Sequence, residues 1–392
     1  LAVEQGAESM APVDSRTKIL IVDDAPVNIR TLSETLRADY EIIVALDGES
    51  ALRIARESAP DLILLDILMP GLDGYQVCER LAQDPVTEGI PVIFITSMSG
   101  EEDERKGFAA GAVDYVIKPF SPPLVQARVQ LHVSLLRARR SAEEAYRVIS
   151  REIQTVADLQ LRLLPQGEFR ERGLTVSSLY RPSGRASGDY YDFFSVGLGR
   201  VRLAVADVSG HGARAAFVMA MARSLFRAGA QADFSLERTV GLMNEQLIAT
   251  LGDQPDFVTM FAAEIDLSRG RLEYVNAGHC PGLLRTGSGE FVELASTCPL
   301  LGFFEEAPQS ASLETGDSFD LFLYTDGLYE WRTGPVEIFA LERFLDLVKG
   351  RVGDEAFVAS KLEEMLALAA PAPFGFDDDM TALLARRRPQ AG

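Results

Sequence analysis

The chain has 392 residues, a formal net charge of −20, and 47% apolar residues. That length exceeds what one hydrophobic core usually spans, so two domains are expected. An acidic chain repels nucleic-acid phosphates, which argues against direct DNA or RNA binding, and no apolar run approaches the length of a membrane span.

Residues 1–16 read as a disordered tail, with Met10 a candidate natural start. No apolar leader core is present, and the three cysteines, Cys78, Cys280 and Cys298, lack metal-ligand spacing. A cytoplasmic, reducing setting is expected, with the cysteines as small buried residues.

From 17 to 133, apolar runs alternate with amphipathic stretches. The runs are KILIV (18–22), EIIVAL (41–46), DLILL (61–65), PVIFIT (91–96) and AVDYVI (112–117), with helical patterns such as 27–36 and 49–56 between them. This alternation predicts an α/β domain with a doubly wound, parallel, five-stranded sheet. Unbroken Ile/Leu/Val runs suit strands covered on both faces. Polar residues gather at the strand ends: Asp23 and Asp24 after the first, Asp66 after the third, Thr96 closing the fourth, Lys118 after the fifth. Sites in such sheets form outside the carboxyl ends of the strands, so these five should converge. Three adjacent carboxylates call for a cation, and all-oxygen ligands favour Mg²⁺.

This segment closely resembles the receiver domain of two-component response regulators, through VDD (22–24), LLDILMPGLDG (64–74), FIT (94–96) and IKPF (117–120). The resemblance implies that Asp66 accepts a phosphoryl group from a sensor histidine kinase or phosphotransfer protein. It implies that Asp23, Asp24, Asp66 and the backbone carbonyl of Leu68 hold Mg²⁺. It also implies that Thr96 and Lys118 bind the phosphoryl oxygens, and that Tyr115 is the aromatic switch residue.

Residues 134–164 extend the last receiver helix without a glycine, Pro122 and Pro123 standing at its start. Leu135, Ala142, Ile149, Val156 and Leu163 recur every seventh residue, with Ala138, Ala145 and Leu159 at companion positions and Glu152 as the exception. The pattern predicts a helical coiled-coil linker joining two copies of the chain, the alternative being a single helix packed on its own chain. Phosphorylation of Asp66 is then expected to reposition Tyr115 and this helix, and so to reach the second domain; the direction of control stays open.

From 165 to 388, strand-like runs dominate: LTVSSLY (174–180), VRLAVADV (201–208), FVTMFAAEID (257–266), RLEYVN (271–276) and DLFLYTD (320–326). Helical stretches lie near 213–230, 236–251, 338–349 and 354–368. An α+β domain, a β-sandwich flanked by helices, is expected. Four acidic motifs stand out: SGDYYDFF (187–194), DVSGHG (207–212), YTDG (324–327) and FDDDMT (376–381). Gathering their carboxylates requires cations, and oxygen ligands point to Mg²⁺ or Mn²⁺.

Taken in order, the motifs resemble the SpoIIE/RsbU branch of the PPM metal-dependent protein phosphatases, as do NAGHCP (276–281) and CPLLG (298–302). The resemblance implies hydrolysis of phosphoserine or phosphothreonine at a centre of two Mn²⁺ or Mg²⁺ ions. Asp189 and Asp207 would bridge the ions, Val208 would offer its carbonyl, and Asp326 and Asp378 would complete the set; Asp192, Asp379 and His211 would stand in supporting positions. Two cations about 3.5–4 Å apart activate water for in-line attack on phosphorus without a covalent enzyme intermediate. Ser187 replaces a usual Gly, Cys280 interrupts the NAGHP run, and the extra acid Asp377 leaves the ligand choice among 377–379 open. His211 reads better as a loop-shaping residue than as a general acid, His279 as a turn brace, and Arg386–Arg388 as a solvated tail. The implied substrate is a phosphorylated STAS-domain anti-sigma-factor antagonist. The alternative is a non-catalytic adaptor that binds a sigma-factor-pathway partner; the presence of all four acidic motifs favours catalysis.

Overall fold

The computed structural model describes residues 16–97, 101–184, 186–197, 199–210, 212–252, 254, 256–331, 340–362, 364, 366 and 378–389, the side chains of 101–104 and 360 aside. The expected tail lies outside these residues except for Arg16. The chain divides into two compact units, Leu1–Arg147 and Val148–Gly392.

The first unit alternates β1 (Lys18–Val22), α1 (Pro26–Leu36), β2 (Glu41–Ala45), α2 (Gly48–Ser58), β3 (Leu62–Asp66), α3 (Gly74–Gln83), β4 (Val92–Thr96), α4 (Glu101–Ala109) and β5 (Asp114–Ile117), followed by α5 (Pro122–Leu163). The sheet is parallel, in the order β2-β1-β3-β4-β5. Successive strand residues point to opposite faces. Ile19, Ile21, Leu62 and Leu64 pack with Leu32 and Leu36 of α1 and with Val125, Val129 and Val133 of α5. Leu20, Val22, Ile63 and Leu65 pack with Ala51 and Ala55 of α2 and Val77 and Leu81 of α3. Covering both faces explains the continuous apolar runs. Beyond Val133, α5 stays tied to this unit: Arg137 donates to Thr17 Oγ1 (2.8 Å) and Arg140 to Asp61 Oδ1 (2.6 Å).

The second unit contains β6 (Phe169–Glu171), β7 (Leu174–Arg181), β8 (Tyr190–Gly197), β9 (Arg200–Val208), α6 (Ala213–Gln231), α7 (Leu236–Leu251), β10 (Val258–Asp266), β11 (Arg271–Ala277), β12 (Gly282–Thr286), β13 (Phe291–Leu294), β14 (Ala311–Glu314), β15 (Phe319–Tyr324), α8 (Leu341–Lys349) and β16 (Met380–Arg387). Two antiparallel sheets form, β14-β11-β10-β9-β8 and β13-β12-β15-β16-β7-β6. Leu203, Val205, Phe261 and Leu272 of the first share one core with Leu284, Leu321, Leu323 and Leu383 of the second, which makes the pair a sandwich. Met219, Phe226, Val240 and Met243 of α6 and α7 belong to that core. Phe344 and Val348 of α8 pack on Phe322, Tyr324 and Ala382 of the second sheet.

The helix expected over 354–368 begins later than expected: turns and a 3₁₀ segment at Ala359–Lys361 come first, and among the described residues Leu362, Glu364 and Leu366 are helical. One expectation is corrected. Arg386–Arg388 is no solvated tail. Arg386 and Arg387 are buried in β16, Arg386 and Arg388 pair with the fully buried Asp320, and Arg387 donates to Leu267 O. A carboxylate inside the sandwich needs this charge compensation. Cys78 is buried, whereas Cys280 and Cys298 are half-buried, and all three are free thiols. No described helix is long and apolar enough to cross a membrane.

Candidate functional sites

In the first unit, the strand ends place Asp23, Asp24 and Asp66 so that one oxygen from each lies within 4.8 Å of the others. Asp23 and Asp66 are buried and Asp24 is exposed. Lys118 Nζ reaches both buried acids, 2.8 Å from Asp23 Oδ2 and 2.7 Å from Asp66 Oδ2. Burial raises the Asp66 carboxyl above its ordinary range, and Lys118 offsets only part of that. Leu68, exposed, follows on the loop and points its N–H at Asp66 Oδ1 (3.4 Å). Thr96 is buried at the end of β4, and its carbonyl accepts from Lys118 N (2.6 Å). Tyr115 lies on β5, edge-on to Phe108 with ring centroids 6.0 Å apart. Asn28, which the sequence reading missed, donates to both oxygens of Asp23 at 2.9 Å from the first turns of α1. Its only signal was its spacing five residues beyond Asp23.

In the second unit, the four motifs meet at one end of the sandwich. Asp189 precedes β8, Asp207 lies near the end of β9, Asp326 opens a 3₁₀ turn after β15, and Asp378 and Asp379 precede β16. Asp189 and Asp379 are buried, Asp207 and Asp326 half-buried, and Asp378 exposed. Close backbone approach holds the loops together. A Cβ on Gly188 would fall 2.5 Å from Val208 O, and one on Gly327 would fall 2.0 Å from Asp379 O. Only glycine fits such contacts. Val208 thus presents its carbonyl beside the Asp189 loop.

The charged groups acting on these acids are other acids. Burial first, then Asp207, raises Asp189 well above the usual carboxylate range. Burial, followed by Asp326, Asp378 and Asp379, lifts Asp207 to about 7. Burial, Glu330 and Asp378 raise Asp326. An oxygen-rich cluster that is hard to ionise on its own fits hard divalent cations, which favour the charged forms. Its oxygens are more dispersed than those of the first site: among the described residues, no three come within 4.8 Å of one another as Asp23, Asp24 and Asp66 do.

The surroundings separate ligand candidates from braces. Asp379 accepts from Ser183 N (2.7 Å), Ser183 Oγ (2.9 Å) and Gly188 N (3.1 Å), which fits a supporting position. Asp192 has different partners. Within β8 its two oxygens are taken by Arg227 (2.7 and 2.6 Å), and Tyr190 OH adds a third bond (2.8 Å). His211 and Asp377 lie outside the described residues. His279 braces the NAGH turn: its N–H donates to Asn276 Oδ1 (2.8 Å), its Nδ1 lies 2.8 Å from Thr259 Oγ1, and burial pushes its imidazole down to about 4. Burial holds the Cys280 thiol up at about 12, protonated and 3.4 Å from Tyr329 OH.

Three residues inside or near the motifs were not singled out from sequence. Thr325 Oγ1 and Thr381 Oγ1 both donate to Asp189 Oδ2, at 2.9 and 2.5 Å. Their presence in YTDG and FDDDMT was the available signal. Gln160, buried on α5, donates to Ser187 O (2.8 Å) and accepts from Ser187 N (3.1 Å). Ser187 Oγ in turn accepts from Asp189 N (3.0 Å), a bond that a glycine could not supply.

Comparison with known proteins gives two family matches, Response regulator receiver domain at residues 19–130 and Stage II sporulation protein E (SpoIIE) at residues 197–388. The second begins after Asp189, which the fold brings back to the matched segment. The first third of the chain is 48% identical over 125 residues to a probable cyclic di-GMP phosphodiesterase of Vibrio cholerae, covering 32% of this chain and 28% of that protein. It is 41% identical over 140 residues to the response regulator PleD of Caulobacter vibrioides, covering 34% and 31%. The chain thus spans less than a third of the length of either relative. The SiaA-PP2C domain of Pseudomonas aeruginosa shares the fold, with a TM-score of 0.53 at 18% identity, covering 62% of this chain and 98% of that domain.

Proposed function

We propose, because residues 19–130 belong to the response regulator receiver family and residues 197–388 to the SpoIIE family of PPM phosphatase domains, that this chain is a receiver-controlled, metal-dependent phosphoserine/phosphothreonine phosphatase. The observation that carries the reading is the convergence of four acidic motifs into one cluster whose members raise one another's pKa. The organisation we assign is a receiver over 17–133, a helical linker over 134–164 and a phosphatase domain over 165–388.

In the phosphatase domain, Asp189, Asp207, Asp326, Asp378 and the Val208 carbonyl hold two Mg²⁺ or Mn²⁺ ions. Bound there, the ions supply Lewis acidity toward a phosphoryl oxygen and toward water. Asp379 keeps the Gly188 loop in place through its bonds to Ser183 and Gly188. The nearby Cys280 thiol stays protonated, which suits direct attack by water over a thiolate nucleophile.

In the receiver, Asp23, Asp24, Asp66 and the Leu68 carbonyl hold Mg²⁺. An Asp66 oxygen takes the phosphoryl group from a histidine kinase or phosphotransfer protein. Lys118, already 2.7 Å from Asp66, and Thr96 receive the phosphoryl oxygens, and Tyr115 reports the change.

Control runs through α5. Its first turns carry Val125 and Val129 in the receiver core, and Gln160 grips the backbone of Ser187, two residues from Asp189. Leu131, Leu135, Ala138, Ala142 and Tyr146 form an exposed stripe at helical spacing, and Ile149 is exposed likewise. Leu135 is 57% and Ile149 58% exposed, as suits a seam awaiting a second copy of the chain. Ala157, Gln160 and Leu164 are buried within the phosphatase unit, so the end of the helix is already occupied by its own chain.

The substrate is a phosphorylated STAS-domain anti-sigma-factor antagonist, by family resemblance. The test is release of phosphate from such a protein by the full chain, with and without acetyl phosphate to load the receiver, beside Asp66→Asn. A rate that responds to acetyl phosphate only in wild type supports the reading. Equal rates in all four conditions would sink receiver control, and no release in any would favour a non-catalytic adaptor.

A further inference from the structure

We infer that Thr325 and Thr381 are positioning residues that force Asp189 to offer a single oxygen to a cation, and so select small octahedral ions over Ca²⁺. This rests on the reading of the acid cluster as a metal centre.

The two hydroxyls converge on Asp189 Oδ2 from residues far apart in sequence, one after β15 and the other inside β16. An ionised Asp189, the form that binds a cation, only accepts, so both hydroxyls donate to it; Thr325 Oγ1 also accepts from Thr381 N (3.0 Å), which holds that hydroxyl in place. Thr325 N donates to Thr381 O (3.0 Å), locking the two backbones together. Thr325, Thr381 and Asp189 are almost wholly buried, so water does not compete for these bonds.

A carboxylate oxygen offers about two in-plane acceptor sites. Two donors fill both on Oδ2, leaving Oδ1 as the oxygen available to an ion. One-oxygen ligation suits Mg²⁺ or Mn²⁺, which require compact six-coordinate geometry. Ca²⁺ takes six to eight oxygens and readily uses both oxygens of a carboxylate. The hydroxyl pair therefore acts on the choice of ion as well as on its affinity.

The experiment is calorimetric titration of the full chain with Mn²⁺ and, separately, Ca²⁺. Asp23→Asn and Asp66→Asn are carried throughout, so that the heat reports the phosphatase domain alone. In this background the parent is compared with Thr325→Val, Thr381→Val and Thr381→Ser, each checked by thermal melting. Valine keeps the shape and removes the donor; serine restores the donor. Each Val variant is expected to lose about 10–100-fold in Mn²⁺ affinity, the usual effect of removing a partner of a ligand. Ca²⁺ affinity should hold or rise, so the Mn²⁺/Ca²⁺ preference falls at least about tenfold, and Thr381→Ser should stay within about threefold of the parent. An unchanged preference in both folded Val variants, or a serine variant as impaired as valine, overturns the inference. A parent that takes up no Mn²⁺ overturns the metal-centre reading itself, and is distinguished by failing before any substitution is compared.

Discussion

Replacing Asp207 by Asn is expected to stabilise the metal-free protein, against the usual direction of a substitution at a site this closely packed. Burial, with repulsion from Asp326, Asp378 and Asp379, raises the Asp207 carboxyl from 3.8 to about 7. A carboxyl that holds its proton more tightly folded than unfolded favours the folded state at low pH. That contribution is complete below about pH 4 and is lost as pH rises through about 7. A shift of about 3 units at 1.36 kcal/mol each bounds the loss at roughly 4 kcal/mol by pH 8. Asparagine carries no charge and escapes it. At about 2–4 °C per kcal/mol for a domain of this size, the variant should melt several degrees higher, and at most about 15 °C. Calorimetric scans in EDTA at pH 5 and pH 8, read on the phosphatase transition, test this. The gap between variant and wild type should be widest at pH 8 and shrink at pH 5 to under half, about 1.6 kcal/mol for the roughly 1.2 units that separate pH 5 from 3.8. Added Mn²⁺ should raise wild type and leave the variant little changed. A variant melting below wild type at pH 8 would refute the reasoning, and an equal gain at both pH values would assign the effect to packing instead of charge.

Gly327→Ala places a Cβ 2.0 Å from Asp379 O, a backbone atom that cannot swing away, so a loss of about 1–3 kcal/mol is expected in thermal or urea unfolding. Gln160→Ala strips both bonds from the Ser187 backbone; phosphatase turnover should fall at least about tenfold, with about 1–3 kcal/mol of stability lost per orphaned group, while acetyl phosphate still labels the receiver. Leu135→Asp combined with Ile149→Asp puts two charges on the exposed stripe of α5; on the proposed coiled-coil reading, light scattering is expected to report a dimer for wild type and a monomer for the variant.

Much of the fold was legible because burial writes itself into period. Runs such as KILIV need two covered faces, and Ile19/Ile21 and Leu20/Val22 divide between them as a parallel strand requires. The receiver residues were legible because strand ends in this fold gather at one place. The short strands β6, β13 and β14, three or four residues each, are too brief to show a period. Arg386–Arg388 was misread because three consecutive charges mask strand alternation and their buried partner Asp320 lies far back in the chain. Asp192 sits in an acidic motif, yet its partner Arg227 lies on α6, a pairing that local sequence does not reveal. Thr325 and Thr381 stood inside the motifs from the start; the direction of their hydroxyls is a property of the folded sheet alone.

The most direct test of the central claim is hydrolysis of a small aryl phosphate by the full chain across a Mn²⁺ titration, beside Asp326→Asn. The account predicts turnover that appears with Mn²⁺, disappears with EDTA and falls by about two orders of magnitude or more in Asp326→Asn, the scale set by loss of a metal's electrostatic contribution. Turnover indifferent to metal, or an Asp326→Asn variant as active as wild type, would contradict it.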